Sequence, residues 1–379
     1  MVLAAAWCCL AAACSSSSSS HIASSAVSAT AQGAPTSQAA PSSTTVGPQV
    51  PDSEAPTALP ISTPLSARPP AGKNVVFLNS GVTPGQLLSK GLGEAASALH
   101  WNYTSVPINQ ANPATLISAF QSAVQTGANV IVLQATASAE YAQLLPAAQA
   151  KGVLVIDQAS SNSPMPGITA LIDNGAQNGA QWGQALAGET LADAHGTTVH
   201  AAVVTAPIFG TISDAVSSGY KGALVQQCAQ CTSDTIPIPA GDIFTGQDAK
   251  DIVSYLQVHR DTNYVVFISS LLNVGTRAAL NSAGFNSAKL LINDALDSDV
   301  VALQNGQVTA LLDQPLEVDG WMCIDAAARA MTGGDASAYN TRPEPTWLIT
   351  QSTHLTGSSL PEVPFDYQQQ FKSMWKVTA

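Results

Sequence analysis

Along most of the chain, short apolar runs alternate with amphipathic stretches of ten to twenty residues. Residues 153–158, Val-Leu-Val-Ile-Asp-Gln, show the pattern most clearly. Four consecutive apolar residues, three of them β-branched, read as a strand buried on both faces. Residues 139–150 before it carry Tyr141, Leu144, Leu145 and Ala148 at helical spacing, and Gly152 stops the helix. Residues 130–133 form an earlier apolar run. Strand, helix and strand over this span make a βαβ unit, whose strands are parallel. In such sheets ligands meet the carboxyl ends of the strands. There this strand turns polar, at Asp157 and Gln158.

The same alternation predicts strands at 75–78, 102–107, 130–134, 153–157 and 168–172, with helices at 84–99, 113–124 and 139–150. It then begins again. Strands are expected at 200–205, 235–239, 264–269, 289–293, 310–312 and 347–350. Helices are expected at 176–194, 213–226, 249–259, 276–283, 299–305 and 321–331. The prolines in 235–239 place that strand at an edge or bulge. The fold class is therefore α/β, with two doubly wound parallel-sheet lobes joined by a multi-strand hinge. Two such lobes side by side leave a crevice lined by strand ends, the default position for a ligand.

Composition narrows the function. The chain has 379 residues, 46% hydrophobic and 10% charged, enough apolar material for two cores. Its net charge of -12 and its 13 Lys+Arg leave little with which to neutralise phosphates, so no nucleic-acid partner is expected. Gly91-Leu92-Gly93-Glu94-Ala95-Ala96 fits a dinucleotide string but lies inside a helix, where it cannot cradle a phosphate. The sequence holds no Walker A, GxSxG or HExxH motif, and its six histidines are scattered. No enzyme activity, cofactor or metal is expected.

The first residues read as export signals. Residues 1–13 are apolar and Ala-rich and end in Leu10-Ala11-Ala12-Ala13-Cys14. This resembles a lipoprotein signal peptide, in which small residues precede a Cys that is lipidated after cleavage. No Lys or Arg precedes Arg68, so the usual basic segment is missing. A Ser/Ala/Thr/Pro tract follows, read as a disordered tether over residues 15–71.

From Lys73 onward the sequence resembles the type I periplasmic binding proteins, which include the sugar-binding proteins of ABC importers. The resemblance rests on Ala128-Asn129-Val130-Ile131-Val132, Gly152-Val153-Leu154-Val155-Ile156-Asp157, Asp173-Asn174-Gly175 and Asp313-Gln314-Pro315 with Gly320, in that order. It implies that Asp157 accepts hydrogen bonds from ligand hydroxyls and that Gln158 stands beside it. It also implies that Asp294 and Gln314 reach the ligand from the second lobe and the crossover, and that Asn79 contributes from the first loop. Thr136, after the third strand, is a further candidate. As a bare strand-end residue, Asp157 could equally cap a local turn.

Some positions depart from the sugar-binding pattern. The first loop, 79–82, lacks stacking aromatics, Val216 stands where sugar binders often carry Arg, and Ser269-Ser270 stands where Asn-Asp is common. Aromatic contact would come from Phe209 and Phe244. The ligand is thus a sugar or polyol first, and a less polar hydroxylated compound second.

Cys228-Ala229-Gln230-Cys231 ends a helix and leads to a strand, the reverse of a thioredoxin-type order, and lacks further zinc ligands. In an oxidising compartment a local disulfide between Cys228 and Cys231 is expected.

The resulting expectation is a solute-binding protein of an ABC importer, lipid-anchored at Cys14 outside the cell membrane. It would act as a monomer that hands a small molecule to a membrane permease. The domain expectation is a leader at 1–14 and a tether at 15–71, then a first lobe at 72–173 with 315–345 and a second at 174–314 with 346–379. The alternatives are a sensor that presents its ligand to a membrane receptor, or a secreted α/β hydrolase.

Overall fold

A computed structural model describes residues 55–377, apart from residues 111, 161 and 244. The leader, Cys14 and Phe244 therefore lie outside the described residues. Among the described residues no helix is long and apolar enough to cross a membrane.

The first lobe is built from β1 (Asn74–Asn79), α1 (Thr83–Ala98), β2 (Asn102–Pro107), α2 (Pro113–Gln125), β3 (Val130–Gln134), α3 (Ser138–Tyr141), α4 (Leu145–Ala150), β4 (Leu154–Gln158) and β5 (Ala170–Ile172). Its strands are all parallel, in the order β2-β1-β3-β4-β5. Every residue of β3 is buried, as an apolar run between two helical layers must be. Proline opens α1 and α2 in their first turns, where its missing N–H is no loss.

The second lobe holds α5 (Gly175–Ala194), β6 (His200–Thr205), α6 (Thr211–Gln227), β7 (Thr232–Pro237), α7 (Asp248–Val258), β8 (Tyr264–Phe267), α8 (Thr276–Ser282), β9 (Lys289–Asn293), α9 (Asp297–Gln304) and β10 (Ala310–Asp313). Then α10 (Leu316–Met331) returns to the first lobe, β11 (Trp347–Thr350) goes back to the second sheet, and α11 (Tyr367–Met374) returns once more. The second sheet runs β11-β10-β9-β8-β6-β7, the order of the first with one strand added. Cys228 and Cys231 are joined by a disulfide at the turn from α6 to β7, with their Cα atoms 5.3 Å apart.

Close helix crossings make each lobe stiff. A Cβ on Gly183 of α5 would overlap the Val216 carbonyl of α6, and one on Gly219 of α6 would overlap the Ala180 carbonyl of α5. The same holds for Gly91 of α1 against Glu317, and Gly320 of α10 against Leu92. The glycine string at 91–96 thus serves helix packing.

Four expectations need correction. The helix read across 139–150 is broken into α3, a short 3₁₀ turn and α4. Pro146 lacks the N–H that would bond back to Ala142, and its ring crowds that carbonyl. The last strand, β11, pairs antiparallel with β10. The tether ends before residue 71, because Leu59, Ile61 and Leu65 are buried in the same core as α1 and α10.

Finally, residues 346–379 do not all belong to the second lobe. Trp375 stacks on Trp321 of α10 at 5.4 Å, and its indole N–H donates to Asp325 at 2.7 Å. Asp325 also pairs with Arg329, whose guanidinium reaches the Thr63 carbonyl at 2.9 Å. That network ties 55–71 and α11 onto α10.

If the segment before β1 is part of the fold, Leu65→Ala should destabilise the protein by roughly 2–5 kcal/mol, the usual cost of emptying a buried leucine site. Urea denaturation measures it. A loss below about 0.5 kcal/mol, typical of surface changes, would return this segment to the tether.

Candidate functional site

The carboxyl ends of the two sheets line one cleft. From the first lobe come Ser80, Val82 and Pro84 after β1, Gln110 after β2, Gln134 and Ala135 at β3, and Ala159 after β4. From the second come Trp182 of α5, Ile208, Phe209, Ile212, Ile243, Ile268, Ser269, Leu271, Asn293 and Asp294. Asp173, Gln314 and Leu316 line the floor, where the chain crosses between the lobes. The cavity volume is about 80 Å³, well below the ~300–1,000 Å³ usual for ligand pockets. A metabolite needs more, so the lobes must part to admit one. A larger groove, about 780 Å³, runs beside edge strand β2 but has no titratable side chain in its lining.

The strand ends are sharply turned. Ala135, Ala159, Asp173 and Asp294 have φ of 48°, 49°, 50° and 50°, the left-handed region that non-glycine residues avoid. All four line the cleft. Each costs on the order of 1 kcal/mol, which the adjoining strands must hold in place. Ala135 N–H donates to the Gln158 carbonyl at 2.9 Å and Ala159 N–H to that of Ile172 at 3.0 Å. The turns direct successive residues into the gap.

The polar groups are tied mainly within their own lobes. Gln314 donates to Asn293 Oδ1 at 3.0 Å, and Asn293 donates to the Ile268 carbonyl at 3.0 Å. Ser269 donates to Asp294 Oδ2 at 2.8 Å. Asn178 donates to Asp173 Oδ1 at 3.0 Å. Behind Asp173 stand Asp319 and Glu344, and one oxygen from each of the three lies within 4.8 Å of the others. A hard cation could be held by such a set. Gln158 donates to Asp319 Oδ2 at 2.7 Å. As carboxylates, Asp173 Oδ2, Asp319 Oδ1 and both Glu344 oxygens receive no hydrogen bond. A proton held by Glu344 and shared with Asp173 supplies one. Burial and the neighbouring carboxylates push Asp319 and Glu344 well above the usual carboxylate range.

The sequence profile described as "Periplasmic binding protein domain" matches residues 75–335. The chain belongs to that family. Several solved binding proteins share its fold at low identity. A solute-binding protein from Burkholderia graminis in complex with D-arabinose has a TM-score of 0.65 at 16% identity, covering 74% of this chain and 96% of its own. One from Mycobacterium smegmatis with bound glycerol has a TM-score of 0.65 at 17% identity, covering 77% and 100%. A myo-inositol binding protein from Caulobacter has a TM-score of 0.62 at 19% identity, covering 74% and 93%. No curated protein matches the chain. The family's description places it outside the cytoplasm, and the three solved structures named above are binding proteins.

In this periplasmic binding protein, Phe209, Asp294 and Gln314 come together at the cleft. Asp157 does not. It is fully buried, and its Oδ2 accepts from Tyr141 and Ser160 at 2.7 Å each and from Asn162 at 2.7 Å. Helix α3 and the loop after β4 thus use the carboxylate to fasten themselves. Gln158 points to Asp319 instead of a ligand. Asn79 shapes its own loop, accepting from Gly81 N–H at 2.8 Å and donating to Ser105 at 3.2 Å. Thr136 is buried and donates to the Gln134 carbonyl at 2.9 Å, outside the cleft lining. Val216 is fully buried where α6 crosses α5 and does not line the cleft.

Trp182, Gln134, Asn293 and Asp173 are lining residues that the sequence did not single out. Asp173 stood inside the Asp-Asn-Gly string, which reads as a turn. Trp182 shares its helix with ordinary core residues, and nothing in the sequence separates it from them.

Two outcomes are expected. Asp157→Ala should lower stability by roughly 1–3 kcal/mol, because buried donors lose their acceptor. Urea denaturation measures this, and an unchanged midpoint would show that the network does not hold the loop.

The second concerns pH. Burial is the main cause lifting Asp157 and Asp173 to about 6, Asp294 to about 7 and Asp313 to about 8. Between the unfolded value, about 4, and these values the folded chain binds more protons than the unfolded chain. Their contribution to stability is present below pH 4 and is lost as pH rises through 6 to 8. The melting temperature should therefore fall from pH 5 to pH 8, and Asp313→Asn should flatten the upper part of that fall. A rising melting temperature would mean these carboxylates are ionised and paired.

Proposed function

We propose that this chain is the solute-binding protein of an ABC importer, taking a small hydroxylated molecule, a sugar or polyol, into the interlobe cleft. The observation that carries the reading is the joint lining: strand ends of both sheets and three crossover residues face one gap. The arabinose, glycerol and myo-inositol complexes of similarly folded proteins support the ligand class.

The chemistry of capture follows from the lining. Ile208, Ile212, Ile243, Ile268 and Leu271 offer an apolar wall with Trp182 and Phe209, suited to the C–H face of a ring. Ser80, Gln110, Gln134, Asn293 and Gln314 offer neutral donors and acceptors, and Asp294 accepts from hydroxyls. A hydroxyl bonded to a carboxylate is held roughly twice as strongly as one bonded to a neutral group. An analogue without it leaves the carboxylate unpaired, and the site rejects it.

Entry and release are a hinge motion about the crossings at 172–175, 313–316 and 342–347. The glycine-packed helix pairs keep each lobe rigid, so motion concentrates at those segments. The closed form is the one a membrane permease would accept, with the chain acting as a monomer. Residues 1–14 would direct export, Cys14 would carry the lipid, and the Ser/Ala/Pro stretch after it would be the leash.

Titration with pentoses, hexoses, polyols and their amino derivatives tests this. A binder at 100 times its Kd should stabilise the fold by about 2.7 kcal/mol, through binding to the folded state alone. The radius of gyration from small-angle scattering should fall as the lobes close. A panel that moves neither quantity would remove the solute-binding role.

A further inference from the structure

The cleft is lined by carboxylates with no opposing charge. Asp173 and Asp294 both face it, and no Lys or Arg lines it among the described residues. The two are near enough for the charge on Asp173 to raise Asp294. Asp319 and Glu344 stand directly behind Asp173 and bring no cation with them. The ion pairs among the described residues are Lys90–Glu317, His200–Asp261, Lys289–Asp193 and Arg329–Asp325, and none of them reaches this cluster. Asp173 is 1% exposed, and its Oδ2 accepts from no amide or hydroxyl, leaving it the proton shared with Glu344.

A neutral sugar would close into this cleft at a disadvantage. Its hydroxyls can donate to the carboxylates, but they bring no charge. Shutting the lobes over it leaves Asp173 and Asp294 without a counter-charge unless each holds a proton, which burial favours. An ammonium group supplies what is missing, with up to three donors and a positive charge on one atom. The aromatic surface fits the same group. Trp182 and Phe209 line the cleft beside apolar side chains, and an aromatic face attracts a cation more strongly once it is dry.

We infer that the ligand is a small hydroxylated amine, an amino sugar or aminopolyol, whose ammonium group sits between Asp173 and Asp294 at the floor of the cleft. The inference rests on the solute-binding reading and narrows its ligand. The hydroxyls meet Ser269, Asn293 and Gln314, and the carbon skeleton lies against Trp182 and Phe209. Before a ligand arrives, protons neutralise part of the cluster, and burial favours them. The ammonium then takes over that role.

The test uses matched pairs on the full folded chain: D-glucose with D-glucosamine, D-galactose with D-galactosamine, and glycerol with 2-amino-1,3-propanediol. Calorimetry gives each Kd. The amino member of at least one pair should bind at least about tenfold more tightly than its neutral partner, the low end for a hydrogen bond to a charged group. In Asp294→Asn that ratio should fall to about threefold or less. The substitution Asp173→Asn should lower it as well, since asparagine tolerates the left-handed backbone there.

A neutral member binding as tightly as its amino partner would overturn the amine while leaving a solute-binding protein. Absence of binding by both members of every pair, in a protein shown to be folded, would overturn both readings. Stabilisation by calcium chloride alone that Asp173→Asn abolishes would assign the cluster to a metal and overturn the amine.

Discussion

Burying acid at the hinge without a cation is the constraint from which much of this molecule follows. Asp173 stands where the chain first leaves the first lobe, Asp319 in the first turn of the helix that brings it back, and Glu344 just before it leaves again. The fold brings these segments together because two parallel sheets meet along their carboxyl edges. Each carboxylate is therefore removed from water by the same packing that forms the hinge. Proton sharing and the Gln158 and Asn178 amides ease the arrangement but leave oxygens unpartnered. The floor of the cleft is anionic for a structural reason as much as a functional one.

Rigid lobes make that charge useful. Where α5 crosses α6 and α1 crosses α10, glycines let backbone lie on backbone, and even a methyl group would have to displace a carbonyl. Interiors packed this tightly transmit displacement rather than absorb it. The segment before β1 and α11 add to this by clamping α10 from outside, through Thr63, Arg329, Asp325 and Trp375. A ligand that bridges the lobes therefore acts on the few residues of the crossings. The left-handed turns at Ala135, Ala159, Asp173 and Asp294 persist because rigid strands on either side leave them no other conformation.

Period and punctuation in the sequence were enough for most of the architecture. Apolar runs such as 130–134 are buried on both faces, and little besides a parallel strand has that pattern. The order of elements then left few topologies to choose among. What escaped was determined at long range. Pro146 breaks a helix whose apolar spacing is otherwise good. Leu59, Ile61 and Leu65 are thinly spread through Pro, Ser and Thr, so no local period marks them as core. Helix α11 is rich in Gln, and only the surface of α10 gives Phe371 and Trp375 somewhere to be buried.

The site was harder to read for the same reason. Position at the end of a strand selects which residues can reach a ligand, and Asp294 and Gln314 do line the cleft. It does not say which of them already have partners. Asp157 has three donors of its own, from Tyr141, Ser160 and Asn162, and two of these lie on a loop that needs anchoring. A carboxylate oxygen that accepts from no amide or hydroxyl gains from a ligand only where the ligand can reach it. Asp157 Oδ1 and Asp173 Oδ2 are both of that kind, but of the two residues Asp173 alone lines the cleft. The anionic contact point therefore shifts from the end of β4 to the crossing after β5, next to Asp294. That shift moves ligand charge from the wall of one lobe to the point where both lobes turn. There a single positive group would satisfy the site and hold the hinge shut.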